Sequence, residues 1–232
     1  MSDDAPITRR AVLSRLALGS LVATGAVASS GPFLRGMGRW NQRVESGLFS
    51  FERAAPELPP ESETASADFP SYFISPEVPL APASWRLAVG GMVARPASLS
   101  LADLQRLPRT AMRVRHHCVE GWSAVAAWHG VRLSDLAALV GADPRAGFVE
   151  FRSFDAGYWS SWDRASAFHP QTILAYGMNG EALGPGHGAP LRLYSATKLG
   201  YKMVKYLTEV SFLAAPTGGY WEDQGYEWFA GV

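Results

Sequence analysis

The sequence predicts a mixed α+β fold, rich in strands, with short helices and long loops. Three observations carry that reading. Several segments alternate apolar and polar residues with the period of a strand. The helical signatures are brief and closed by their own capping residues, and long stretches punctuated by glycine and proline separate the elements.

Trp85, Leu87, Val89, Gly91 and Val93 alternate with Arg86, Ala88, Gly90 and Met92, which predicts the first strand. Ser100, Leu101, Ala102 and Asp103 form a candidate capping box, opening a short helix that has to stop before Pro108. Over 111–117, Met112, Val114 and His116 oppose Arg113, Arg115 and His117, so a second strand is expected that ends at Cys118. Ser134 is a candidate N-cap for a helix over 135–140, with Gly141 supplying the permissive residue beyond it. Phe148–Ser153 reads as a third strand and 191–194 as a shorter one. Val204, Tyr206, Thr208, Val210 and Phe212 give the clearest alternation, all β-branched or aromatic as a half-buried strand prefers. The stretches 155–170 and 179–190 are expected as long loops, which commonly carry sites on a rigid frame.

With 232 residues, 47% of them hydrophobic, the chain can bury one substantial core without disulfides. Lys plus Arg and Asp plus Glu both number 21, and no long basic run is present, which argues against a nucleic-acid partner. Thr8-Arg9-Arg10-Ala11-Val12-Leu13, followed by an uncharged run over 16–30, reads as a twin-arginine export signal, with Ala26-Val27-Ala28 as a cleavage site. The apolar run is too short and Gly-rich for a membrane span, which needs roughly 20 apolar residues. The domain organisation expected is an export signal over 1–30, a Pro-rich linker or wrapping arm over 31–68, and one folded domain over 69–232. The twin-arginine route carries folded proteins, so it points to a periplasmic or otherwise exported protein with a cofactor inserted before export.

The single cysteine, Cys118, sits in Arg113-Val114-Arg115-His116-His117-Cys118-Val119-Glu120-Gly121-Trp122. Nearby positive charge lowers a thiol pKa and favours the thiolate needed by a nucleophile or a soft-metal ligand. Composition alone equally accommodates a buried structural cysteine.

Cys118-Val119-Glu120-Gly121-Trp122, then Trp128-His129-Gly130-Val131 and Leu133, resemble the signature of the sulfite-oxidase-type molybdopterin enzymes. The resemblance is strongest to the branch that includes the bacterial periplasmic methionine-sulfoxide-reducing catalytic subunit. It runs from about residue 69 to the carboxyl terminus, through Trp85-Arg86-Leu87 and Gly91, then Gly188-Ala189-Pro190-Leu191-Arg192-Leu193, with Lys198, Gly200, Tyr201-Lys202 and Lys205.

The resemblance implies a mixed fold around one Mo-molybdopterin cofactor, with Cys118 as the protein's thiolate ligand to the metal. Arg192, Lys202 and Lys205, with backbone amides at Met203 and Val204, are the implied phosphate-binding residues. Ser153 falls where a hydroxyl meets the cofactor, and Tyr72 and Phe73 fall in the aromatic stretch that passes it. His187 stands where relatives often have asparagine. His116 and His117 point to opposite faces of a strand, so one at most faces the metal, and His117 is taken as the catalytic proton carrier. Trp122, Trp128, Tyr158, Trp159 and Trp162 are core aromatics by default and candidates for a substrate entrance.

The implied activity is oxygen-atom transfer on a small polar substrate, a sulfoxide or a sulfite-like compound. The sequence holds no Cys-x-x-Cys-His haem site, no iron–sulfur cysteine set and no Gly-x-Gly-x-x-Gly fingerprint, so a membrane cytochrome b or a soluble cytochrome c is the implied electron partner. Two other readings stay open on residue types: a cofactor-free thiol enzyme with Cys118 as nucleophile and His116 or His117 as base, and an exported small-ligand binding module.

Overall fold

The structure, a computed structural model, describes residues 53–155 and 157–232 together with Trp40 and Val44. The expected export signal over 1–30 lies outside the described residues. The secondary-structure elements belong to the unit formed by residues 48–232. In chain order they are β1 (Leu87–Gly91), β2 (Ala97–Leu99), α1 (Leu101–Leu104), β3 (Arg109–His117), β4 (Ser123–Arg132), α2 (Leu133–Val140), β5 (Phe148–Ser153), β6 (Trp159–Asp163), α3 (Arg164–Ala167), β7 (Thr172–Met178), β8 (Glu181–Ala182), β9 (Arg192–Ser195) and β10 (Leu207–Leu213). No helix among the described residues is long and apolar enough to cross a membrane.

The strands make two sheets. One has the order β2-β1-β10-β5-β6, with β1 parallel to β10 and the other pairs antiparallel. The second runs β3-β4-β7-β8, with β9 also paired to β7. Val89 of β1, Phe151 of β5 and Phe212 of β10 pack with Val131 of β4, Leu174 of β7 and the apolar side of α2 in one core. On the opposite face of the second sheet, Val114, Trp128, Ile173 and Ala175 gather with Phe69 and Met203 in another. The second sheet is thus buried on both faces, and all seven residues of β7 are buried.

Local signals explain several elements. The Ser100 hydroxyl accepts from the Asp103 N–H at 3.2 Å and the Asp103 carboxylate accepts from the Ser100 N–H at 2.9 Å, which completes the capping box of α1. Gly141, at φ 64°, closes α2 in the left-handed conformation. Ser134, however, is not the cap: β4 passes directly into the helix, Arg132 takes the cap position without a side-chain bond, and Leu133 is already buried in the first turn.

The alternation over 204–212 is also corrected. The strand starts only at Leu207, because Tyr206 stands at φ 57°, and a register shift between Leu207 and Glu209 interrupts the pattern. The stretch 155–170 is not one loop but holds β6 and α3, the latter capped by the Asp163 carboxylate accepting from Ser166 N–H at 2.8 Å. Residues 53–68 lie along the second sheet: Leu58 N–H donates to Arg113 O at 2.9 Å and Thr64 N–H to Val125 O at 2.8 Å.

β3 and β4 pair from Arg109↔Val131 to His117↔Ser123. That register leaves 118–122 as the hairpin tip and sets the lone cysteine at its first position.

Candidate active site

The hairpin tip is a tight turn in which Cys118 N–H donates to Trp122 O at 3.0 Å and Gly121 N–H to Cys118 O at 3.1 Å. Gly121 adopts φ 90°, a conformation that favours glycine. The Cys118 thiol stands 3.8 Å from Glu120 Oε2, and the same oxygen accepts from Trp122 Nε1 at 3.0 Å. The expectation that neighbouring cations depress the thiol is overturned: burial, with the Glu120 carboxylate, pushes its pKa up. Arg113 faces away and pairs with Glu63 at 3.1 Å, and Arg115 donates to Ser123.

Behind the tip lies a cavity of about 310 Å³. Cys118, Tyr72, Phe73 and Ser153 line it, as do His187, Arg192, Met203 and Lys205. The structure thus brings eight of the sequence-derived site residues to one volume. Three others it does not. His117 points the opposite way, into a second cavity of about 300 Å³ with Arg115 and Ala196, because its place in β3 puts it on the other face. Its neighbour His116 lines the main cavity instead, 5% exposed; burial first, then Arg192, push its pKa down to about 3, so the ring is neutral. Val204, taken for its backbone amide, has its side chain fully buried in the first core, so only its backbone is left to serve the site. Lys202 turns away from the cavity to an ion pair with Glu222.

The cavity's electrostatics are unusual. Arg192 is 5% exposed and lies over the Trp128 ring, 4.8 Å from its centroid, with Nη1 donating to His187 O at 3.1 Å. Lys205 Nζ donates to Gly186 O at 2.9 Å. Neither cation pairs with a carboxylate among the described residues. Burial lowers the Arg192 pKa to about 10, and burial together with the Arg192 charge lowers that of Lys205 to about 7. Gly188, at φ 103°, lets the two side chains converge: a Cβ there would stand 2.9 Å from Lys205 Cβ and 3.2 Å from Arg192 Cβ.

Sequence reasoning missed several contributors. The buried Asp155 carboxylate accepts from Ile74 N–H at 2.8 Å and Ser75 N–H at 2.9 Å, anchoring the segment that carries Tyr72 and Phe73. No local pattern links residues 81 positions apart. Tyr201, Trp221 and Tyr226 add to an aromatic wall that also holds Trp122 and Tyr158, two of the entrance candidates, whereas Trp128 and Trp162 belong to the cores. Two buried polar atoms, His116 Nδ1 and Tyr206 Oη, have no hydrogen-bond partner among the described residues.

Two converging cations, orphaned polar atoms and a thiol at one edge form a donor set for an anionic group with a soft metal. It fits the phosphate-bearing, thiolate-held cofactor that the sequence resemblance implies. It fits thiol catalysis poorly, since the thiol pKa is raised and the orphaned His116 Nδ1 does not reach Cys118.

Comparison with known proteins agrees. Residues 75–221 match the family model of the oxidoreductase molybdopterin binding domain. The chain is 40% identical over 230 residues to the putative protein-methionine-sulfoxide reductase subunit YedZ1 of Azospira oryzae, covering 96% of this chain and 87% of that protein. It is 35% identical over 143 residues to the uncharacterized oxidoreductase YuiH of Bacillus subtilis, covering 61% and 72%. The protein-methionine-sulfoxide reductase catalytic subunit MsrP of Campylobacter jejuni is 30% identical over 155 residues, covering 60% of this chain and 52% of that protein. Among solved structures, the sulfane dehydrogenase SoxCD from Paracoccus pantotrophus superimposes with a TM-score of 0.57 at 25% identity, over 60% of this chain and 41% of that one.

Proposed function

The chain belongs to the oxidoreductase molybdopterin-binding domain family, and from that premise we propose that it transfers an oxygen atom and two electrons to or from a small polar substrate. The substrate class is a sulfoxide or a sulfite-like compound. Electrons pass to or from a separate cytochrome, a membrane cytochrome b or a soluble cytochrome c, and the protein works after export by the twin-arginine route. The observation that carries this reading is the convergence on one cavity of Cys118 with Arg192 and Lys205, neither of which pairs with a carboxylate among the described residues. Relatives named as methionine-sulfoxide reductases support the sulfoxide side of it.

When bound, the molybdenum–pterin group supplies two-electron oxygen-atom chemistry. Cys118 Sγ would hold the metal, and Arg192 and Lys205 would hold the phosphate by charge-assisted bonds. Ligation requires the Cys118 proton to leave. Glu120 Oε2, already the partner of that thiol and exposed to solvent, would be placed to pass it on. Reduction of a sulfoxide consumes protons too, and the same carboxylate can relay them, in place of His117. Tyr72, Val119 and Tyr226 are exposed at the mouth and offer an apolar approach for the substrate's organic part.

The test is elemental analysis with pterin fluorescence on protein matured in a molybdopterin-competent host, beside the Cys118→Ala variant. The expected result is about one molybdenum per wild-type chain, held through the single thiolate. The variant should lose redox turnover while its circular dichroism stays that of the wild type. Active wild-type protein without molybdenum, or a variant with undiminished turnover, refutes the proposal. Sulfoxide loss driven by a reductant, set against dye reduction driven by sulfite, separates the two directions.

A further inference from the structure

Residues 218–231 contain only the 3-10 turn Glu222–Gln224 and two isolated bridges, yet Trp221 and Tyr226 from this strap form part of the cavity wall. The strap is fastened at its backbone by β6 and by the turn Gly200–Lys202. Ser161 N–H donates to Gly218 O at 3.0 Å and Tyr220 N–H to Trp159 O at 2.9 Å. Leu199 N–H donates to Ala230 O at 3.0 Å, and the Tyr201 hydroxyl donates to Glu227 O.

At the centre of these contacts is one buried ion pair. Lys202 Nζ donates to Glu222 Oε1 and, at 3.0 Å, to Ser161 O; Ser160 Oγ donates to the same Glu222 oxygen at 2.6 Å. The two side chains are 1% and 3% exposed. Gly219 makes the fold-back possible, since a Cβ there would lie 2.2 Å from Glu222 Oε2. That second carboxylate oxygen has no partner of its own among the described residues. Tyr201 and Met203 both line the cavity, while Lys202 between them does not.

We infer that Lys202 is a positioning residue rather than a cofactor ligand: its ion pair with Glu222 latches the carboxyl-terminal strap so that Trp221 and Tyr226 complete the outer wall of the cavity. The physical asymmetry of such pairs makes this testable. Removing one partner strands a buried charge and loosens whatever the pair holds, whereas replacing both by apolar residues of similar volume is often neutral or stabilising. A lysine that grips phosphate would behave otherwise, because its acidic neighbour would be incidental and the double replacement could not restore the grip.

The experiment uses the full chain, matured in molybdopterin-competent and in cofactor-deficient hosts. Chymotrypsin cleavage after Trp221 and Tyr226 reads the strap; molybdenum content after dialysis reads the wall. Lys202→Met and Glu222→Gln should each speed strap cleavage roughly tenfold in both preparations and accelerate molybdenum loss. The double variant Lys202→Met/Glu222→Leu should bring both measurements back toward wild type. Ser160→Ala keeps the ion pair and removes one bond, so it should shift cleavage the same way by less, and it serves if a pair variant does not fold. Wild-type cleavage in Glu222→Gln overturns the latch, as does a double variant that still loses molybdenum like Lys202→Met alone. Only the dialysis arm rests on the proposed cofactor: protein without molybdenum would sink that proposal, and the cleavage arm would still decide the latch.

Discussion

Replacing Lys205 by methionine should stabilise the cofactor-free protein at pH 6 while weakening its hold on the cofactor. Lys205 is half-buried beside Arg192, with no carboxylate partner among the described residues, and its pKa falls from 10.5 to about 7. At 1.36 kcal/mol per decade, that drop corresponds to a cost of about 5 kcal/mol for holding the charged lysine in the fold. Against it stand the Nζ donation to Gly186 O at 2.9 Å, worth about 1 kcal/mol, and the approach to the Tyr206 ring at 5.3 Å, worth about 1 kcal/mol at most. Methionine has nearly the same length and fills the space, so the net gain should be about 3 kcal/mol.

The sign depends on pH in a definite way. Below pH 7 the lysine is charged in both the folded and the unfolded chain, and the cost is fully present. Between 7 and 10.5 the unfolded chain binds more protons than the folded one, so wild-type stability rises with pH and the cost fades. At pH 9 the folded Lys205 is neutral and its cation–π contribution is gone, so about 2 kcal/mol of cost stands against a hydrogen bond worth about 1 kcal/mol, and the variant's advantage should shrink to about 1 kcal/mol. Urea unfolding of protein from a cofactor-deficient host, at pH 6 and pH 9, measures both values. A Lys205→Met protein that is less stable than wild type at pH 6 refutes the reasoning, because it would mean that a neighbour such as Asp155 already neutralises the lysine.

Two further perturbations act on the frame of the same cavity. Gly188→Ala forces a side chain to φ 103° and against Lys205 Cβ at 2.9 Å, so it should cost about 2–4 kcal/mol and lower cofactor content, read by thermal unfolding and molybdenum analysis; an unchanged melting temperature would show that the two cations need not converge there. Asp155→Asn leaves one acceptor for the backbone donors of Ile74 and Ser75, and faster amide exchange at those two residues with about 1–3 kcal/mol lost is the expected outcome. Exchange at Ile74 and Ser75 like that of the wild type would remove the anchoring role.

What could be read in the sequence was what local physics writes there. Ser100 and Asp103 declare the start of α1 within four residues, and Phe148–Ser153 shows its face by alternation because β5 has one side in the core. β7 and β4 were not legible for the opposite reason. Thr-Ile-Leu-Ala-Tyr-Gly-Met is buried on both sides, so no polar face marks its period, and a short apolar run of this kind does not reveal its own geometry. At 204–212 the alternation is present but misleads. Val204 is buried in the first core and Tyr206 lines the cavity, and the left-handed turn at Tyr206 separates them from β10.

The site divides along the same line. Cys118, Arg192 and Lys205 stand in ordered motif blocks, and the blocks do meet in space at one cavity. Residue type and spacing could not say which of two lysines three positions apart faces it, since the answer lies in a carboxylate twenty residues downstream of Lys202. The Gly200–Lys202 turn sends Tyr201 and Met203 inward and Lys202 outward, and Glu222 folds back over Gly219 to meet it. The same limit explains the histidines: strand alternation correctly restricts the cavity to one of His116 and His117, but which one depends on the pairing of His116 with Ala124 across the hairpin and on the close approach of Gly200 to the His116 ring. Charge tells a similar story at Cys118, where the arginines three and five residues earlier are directed to the far face, and burial first, with the glutamate two residues on, raises the thiol's pKa. A motif block therefore fixes which residue types reach the site, while the sign and partner of each charge are set by long-range closures that only the folded chain makes.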